Sequence, residues 1–268
     1  MSKNTTDFSN KINNKNGYHK ALIFHGIRNI VVAFLLIFSL TQIYACGKKQ
    51  YVQVFTYEDN DDGTVRITGL TDKGKSDSKL VIPEQIDGKD VTVIGAECFR
   101  ADASVTSVTV GKNVIQISEN AFLNCVNLEN ITFEGTVETI GTNAFTNTKW
   151  ENNILSDNNE VIVCNILVKV KEAKDTYRVP DSVVTIGSGV FYNNKDIKEV
   201  ILPDSVETIG TYAFYGCTSL EKINIPGNIK NIDYCAFADC GLKNVVVPKS
   251  VEYVGNDAFL NVENVVYK

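Results

Sequence analysis

The chain has 268 residues, with 26 lysines and arginines against 32 aspartates and glutamates, for a formal net charge of −6. This acidic balance excludes a reader of phosphate backbones, which needs clustered Lys and Arg, so nucleic acid is not an expected partner. Both histidines, His19 and His25, stand near the amino terminus, and no pair of acids recurs at a spacing suited to proton transfer. No catalytic residues, metal site or cofactor are therefore expected.

Lys11, Lys15, Lys20 and Arg28 precede a continuous apolar run from Ile30 to Ile43. That order of charge and apolar stretch is the order of a bacterial secretion signal. At about 14 residues the run falls short of the roughly 20 needed to span a bilayer. Directly after it stands Ile43-Tyr44-Ala45-Cys46-Gly47, which resembles a lipobox, the site where bacterial lipoproteins are acylated on cysteine and cleaved just before it. Ile43 and Ala45 fit, while Tyr44 is bulkier than the small residue usual at its place. The resemblance implies a lipoprotein signal peptide over residues 1–45, lipidation at Cys46, and a mature chain held by lipid on the extracellular face of the bacterial cell membrane. An uncleaved anchor helix is the alternative. Without residues 1–45 the chain keeps 21 basic and 31 acidic residues and no histidine.

Residues 46–79 would hold the lipidated cysteine, a short linker and a β-hairpin. Val52–Tyr57 and Thr64–Thr68 alternate in hydropathy around Asp62-Gly63, a turn dipeptide. The acidic run Glu58–Asp62 is no EF-hand loop, since Gly69 occupies the place where such a loop needs its closing glutamate. The hairpin is expected to cap the first coil of a stack that begins near Leu80.

From Leu80 onward a ruler appears. Phe99, Phe122, Phe145, Phe191, Phe214, Phe237 and Phe259 are separated by 23, 23, 46, 23, 23 and 22 residues. Self-similarity at such a period marks a solenoid of stacked coils. Around each ring the same residue types return. Leu220-x-x-Ile223-x-Ile225 predicts a short strand with one apolar side. Pro226 then stops it for want of an amide hydrogen. Ile-Gly pairs such as Ile140-Gly141 and Ile209-Gly210 predict a reversal with glycine at positive φ. Ala-Phe pairs such as Ala121-Phe122 and Ala213-Phe214 leave room for one ring per coil, and the rings are expected to form a single interior file. Cys125, Cys217 and Cys240 each follow a repeat Phe by three residues, predicting a column of buried thiols rather than disulfides.

This pattern resembles the BspA-like leucine-rich repeat family, whose unit reads Leu-x-x-Ile-x-Ile-Pro-x-x-Val-x-x-Ile-Gly-x-x-Ala-Phe-x-x-Cys. The resemblance implies a leucine-rich repeat solenoid, mainly β with short parallel strands and few helical turns, over residues 80–268. It also implies a bacterial surface protein whose partners are proteins or glycans on host or bacterial cells.

The double gap between Phe145 and Phe191 leaves an irregular coil at 150–178. Val161–Val170 reads as two short strands around Cys164-Asn165, after a turn at Asp157–Asn159. The segment is expected to keep the stack in register. The alternative is a projecting hairpin carrying the site of a solute-binding or enzymatic lipoprotein, with Trp150 and Tyr177 in one pocket.

What remains is surface. Outward positions of the predicted strand carry Thr109, Thr132, Ile201, Asn224, Val246 and Val266, a ladder that turns aliphatic in the later coils and is the candidate binding surface. The expected function is that of a lipid-anchored surface protein binding a macromolecule through its coil faces, an adhesin. A structural envelope component associating through the edge at Val262–Tyr267 is the further alternative.

Overall fold

The structure, a computed structural model, describes residues 54–268; Cys46 and the expected signal peptide lie outside the described residues. Successive coils stack through two parallel ladders. One is built from the predicted strands: Lys79–Ile82, Ser107–Val110 and Asn130–Phe133 before the irregular coil, then Asp175–Arg178, Ile197–Ile201 and Lys222–Ile223, and finally Asn244–Val247 with Asn264–Tyr267. Val81, Thr109 and Thr132 stand in register across it. Prolines follow several of these strands, and the carbonyls of Pro180, Pro203, Pro226 and Pro248 each accept from the amide three residues on, turning the chain away from the sheet.

The second ladder uses the two residues before the repeat glycine. Gln116–Ile117 and Thr139–Ile140 continue it from Lys89–Ile94, and Thr185–Ile186, Thr208–Ile209, Asn231–Ile232 and Tyr253–Val254 extend it beyond the irregular coil. The chain therefore lays down two strands per coil where sequence pattern marks one. A two-residue strand is too short to show alternation.

The ring file is present, in two segments. Phe99, Phe122 and Phe145 stack with centroids 5.0 and 5.7 Å apart, and Phe191, Phe214, Phe237 and Phe259 with centroids 5.0, 5.1 and 5.4 Å apart. All but Phe259 are buried, with the small Ala121, Ala144, Ala213 and Ala236 beside them. Burying each ring is worth about 1.5–3 kcal/mol. The thiols of Cys125 and Cys217 are buried and donate to the carbonyls of Phe99 and Phe191 in the preceding coil, each at 2.9 Å. The described cysteines are all free of disulfides.

The role of the repeat glycine is corrected by the structure. Gly95, Gly141, Gly187, Gly210 and Gly255 are not in the left-handed region; among the described glycines, Gly63, Gly88, Gly189 and Gly216 are. What the Ile-Gly position needs is space. A Cβ at Gly141 would lie 2.4 Å from the amide nitrogen of Glu119, and one at Gly187 would lie 2.4 Å from the carbonyl oxygen of Leu167, both in the neighbouring coil. Two coils carry Ser118 or Asp233 there, and each is followed by a coil with glycine, Gly141 or Gly255.

Left-handed residues recur instead two before and two after each repeat Phe. After it come Ala101, Asn124, Asn147, Asn193, Gly216, Asp239 and Asn261; before it come Glu97, Asn120, Asn143, Gly189, Tyr212, Cys235 and Asp257. Asn, Asp and Gly tolerate this conformation best, which explains the composition of the first set. Between these two bends the chain makes a corner around the ring.

The hairpin Phe55–Asp59 with Val65–Leu70 covers the first coil. Its second strand joins the second ladder through Val65 opposite Val91 and Ile67 opposite Ile94. Phe55 heads the ring file, edge-on to Phe99 at 6.4 Å.

In the irregular coil a helix, Lys149–Asp157, replaces the strand. Trp150, Ile154 and Leu155 form one apolar side that packs on the first core cluster, a helical spacing rather than a strand's. Thr148 caps it by accepting from the Glu151 amide at 3.0 Å, and the Glu151 carboxylate accepts from the Asn147 amide at 3.4 Å, much as in a capping box. In regular coils the equivalent amide, as at Asn124 or Asn193, donates to the next coil; Glu151 supplies the acceptor that this coil lacks. Glu151 is only 4% exposed, and burial pushes its pKa up. Glu160–Val163 and Ile166–Val170 then pair as a hairpin around Cys164 and Asn165, both left-handed as a two-residue turn requires. Ile166 and Val168 pack with the first core cluster while Leu167 and Val170 pack with the second, so this strand separates two interiors.

Candidate functional site

The strand-face ladder of Thr109, Thr132, Ile201, Asn224, Val246 and Val266 is on the surface, but it is discontinuous. Thr109 and Thr132 stand beside the exposed Val81, while Arg178 precedes Ile201. Asn224 is committed to the fold: its side-chain amide accepts from the Leu202 N–H and donates to the Leu202 carbonyl, both at 2.8 Å. Val246 and Val266 pair in a two-stranded sheet of their own, with Val246 51% exposed. The strands that carry or border these six residues fall in three separate sheets.

The irregular coil does not bring Trp150 and Tyr177 together. Trp150 lies on Phe145, with centroids 5.0 Å apart, in the first cluster. Tyr177 is buried against Phe191 in the second cluster, its hydroxyl donating to Glu160 at 2.9 Å. Each closes one end of a broken ring file. A polar groove of about 560 Å³ lies beside the hairpin cap, but its Asn60, Asp62, Arg66 and Thr92 side chains are already bonded to one another or to neighbours.

The coherent patch is on the corner of the later coils. Tyr192 and Tyr215 each follow a repeat Phe, Tyr212 precedes Phe214 by two residues, and Tyr234 precedes Phe237 by three. Because the ring file turns the Phe inward, these neighbours point outward in adjacent coils and meet. Tyr192 and Tyr215 stack at 5.2 Å, and Tyr212 stands nearly perpendicular to Tyr192, Tyr215 and Tyr234 with centroids 6.3, 5.5 and 5.3 Å apart. Four rings thus touch across three coils, with Tyr192 51% and Tyr234 42% exposed.

Tyr212 adopts φ 58°, a conformation that a bulky side chain occupies at a cost of about 1–2 kcal/mol. Asn or Gly would fill that bend without strain, as Asn120 and Gly189 do in other coils. Hydrogen bonding to Asp239 raises the pKa of Tyr215, and hydrogen bonding to Cys235 and Tyr212 pushes that of Tyr234 up to about 12. Both hydroxyls stay neutral at physiological pH. Repeat pattern conceals this corner because the tyrosines occupy three different offsets from their Phe; the available signal is that four of the 11 tyrosines fall between residues 192 and 234.

Residues 92–177 and 175–266, together more than half the chain, match the BspA type leucine rich repeat region in six copies. No curated protein matches the chain. Similar solved structures include a T. pallidum leucine rich repeat protein, 26% identical over 76% of this chain and 79% of that one, with a TM-score of 0.38. The pneumococcal vaccine antigen PcpA is 16% identical over 77% and 79%, with a TM-score of 0.36. A leucine rich cell surface protein from Faecalibacterium prausnitzii is 16% identical over 80% and 93%, with a TM-score of 0.35. The paired ladders, the file of phenylalanines and the repeat match agree, and the chain belongs to the BspA-type leucine-rich repeat family.

Proposed function

We propose that this chain is a lipid-anchored surface protein that binds a macromolecule, with adhesion as its purpose and no catalysis in its action. The observation that carries this reading is the four-tyrosine corner, which adds nothing to the ring file yet keeps its rings in the open. Tyrosine supplies large contact area at low conformational cost, and binding hot spots are enriched in it. Adhesion is what the family resemblance implies, and Cys46 supports attachment through its lipobox-like context.

The test uses the full chain coated on beads and offered to matrix proteins, mucin, glycans and bacterial cells. Capture above a control protein that falls at least tenfold in Tyr192→Ala/Tyr234→Ala, and holds in Thr132→Ala, is the expected result. No capture of any member of the panel would remove the reading's support. For the anchor, Cys46→Ser should move the protein out of the membrane fraction and abolish fatty-acid labelling.

A further inference from the structure

We infer that the tyrosine corner recognises a segment of a partner protein bearing lysine or arginine. This rests on the corner being the binding face, and three observations give the partner its chemistry. First, aromatic faces attract cations through the ring quadrupole, and Tyr192 and Tyr234 expose about half of their surface. Second, the rim is acidic. Asp239 directly follows Ala238, whose carbonyl accepts from the Gly216 amide next to Tyr215, and it raises the Tyr215 pKa, while Asp257 occupies in a later coil the bend that Tyr212 occupies in its own. The basic residue of these corner loops, Lys195, has its ammonium bound to the Gly216 carbonyl. Third, Tyr192 and Tyr215 stack face to face while Tyr212 stands nearly perpendicular to Tyr192, Tyr215 and Tyr234, so the corner is a surface of packed rings. Ring faces beside carboxylates suit a cation better than the hydroxyl-rich edge of a sugar.

Asp239 also accepts from the Asn261 side-chain amide at 2.6 Å, so it is held in place beside the rings. The corner of the earlier coils provides a control within the same molecule. Glu97 and Glu119 are exposed acids there, without aromatic neighbours, and Glu97 is paired with Arg100.

The experiment measures binding of a short alternating Arg-Gly peptide to the full chain by fluorescence anisotropy, beside an alternating Glu-Gly peptide and a neutral chitin oligosaccharide. Affinity for the Arg-Gly peptide should fall about 5- to 20-fold in Asp239→Asn/Asp257→Asn and in Tyr192→Leu/Tyr234→Leu. It should change by less than about twofold in Glu97→Gln/Glu119→Gln, which removes equal charge elsewhere. In the unaltered chain, binding should weaken as salt is raised, a result that depends on no variant folding. Equal losses in the two acid-to-amide variants, or salt-independent binding, would overturn the inference. So would tyrosine-dependent binding of the oligosaccharide without the peptide, although the corner would then remain the binding face. Retention of bead capture by the tyrosine variant would instead sink the corner itself.

Discussion

The two halves of the solenoid are alike inside and different outside. The earlier rings stack 5.0–5.7 Å apart and the later ones 5.0–5.4 Å apart, with the same alanines beside them. On the corner above those rings, Arg100, Leu123 and Thr146 in one half answer to Tyr192 and Tyr215 in the other, and Glu97, Asn120 and Asn143 answer to Gly189 and Tyr212. Inward positions are held by their counterparts in the coils above and below, so they converge on one residue type. Outward positions meet solvent and are left to diverge toward a task.

The interior half of that comparison can be broken most directly. Phe122→Ala and Phe214→Ala should each cost about 3–5 kcal/mol in chemical denaturation. Because Leu167 and Ile166 face different core clusters, the loss should be local. In Phe214→Ala, amide exchange should speed at Thr208–Ile209 and Asn231–Ile232 while Gln116–Ile117 keeps its protection. Uniform loss of protection would mean that the irregular coil couples the halves fully.

Next in size is Gly141→Ala, which places a methyl group 2.4 Å from the Glu119 amide nitrogen and should destabilise by about 1–3 kcal/mol. A loss of only a few tenths would show that the glycine serves something other than close approach. Glu151 offers a pH test at the join between the halves. Its folded pKa is raised by burial, so the native state holds this proton more tightly than the unfolded chain. Stability from this group is full below the ordinary glutamate pKa and falls as pH rises through the raised one. Glu151→Gln keeps the cap and should flatten that fall in melts run across the acidic range; an unchanged slope would locate the dependence elsewhere. The smallest effect concerns the bends. Ala101, exposed at φ 59°, should gain about 0.5 kcal/mol on replacement by Asn, while Gly216→Ala in the other half should lose stability, its Cβ meeting the Asn193 side chain at 2.2 Å. Equal melting temperatures for both variants and the parent would refute the assignment of these bends.

Much of the architecture is legible in the residues. The Phe recurrence announces coils, and Asp62-Gly63 and Cys164-Asn165 announce hairpins that the structure contains. The helix at Lys149–Asp157 is legible in principle, since Trp150, Ile154 and Leu155 keep a helical spacing, but a segment so short is easily absorbed into a repeat. The repeat glycine misleads because positive φ and close approach select the same residue. The ladder of strand-face residues rests on repeat offset alone, and offset says nothing of whether a side chain is spent, as that of Asn224 is, on its neighbour's backbone.

A recurrence of 23 residues determines, before any fold is known, that coils stack and which ring each one buries, because one turn of chain and one apolar position per turn are local properties. Where Tyr192, Tyr212, Tyr215 and Tyr234 come together is another matter. All but the Tyr212–Tyr215 contact run between coils, and they depend on two left-handed bends per corner and on how far each coil is offset from the next. Such distances are set by packing across the stack, and only the folded chain contains them.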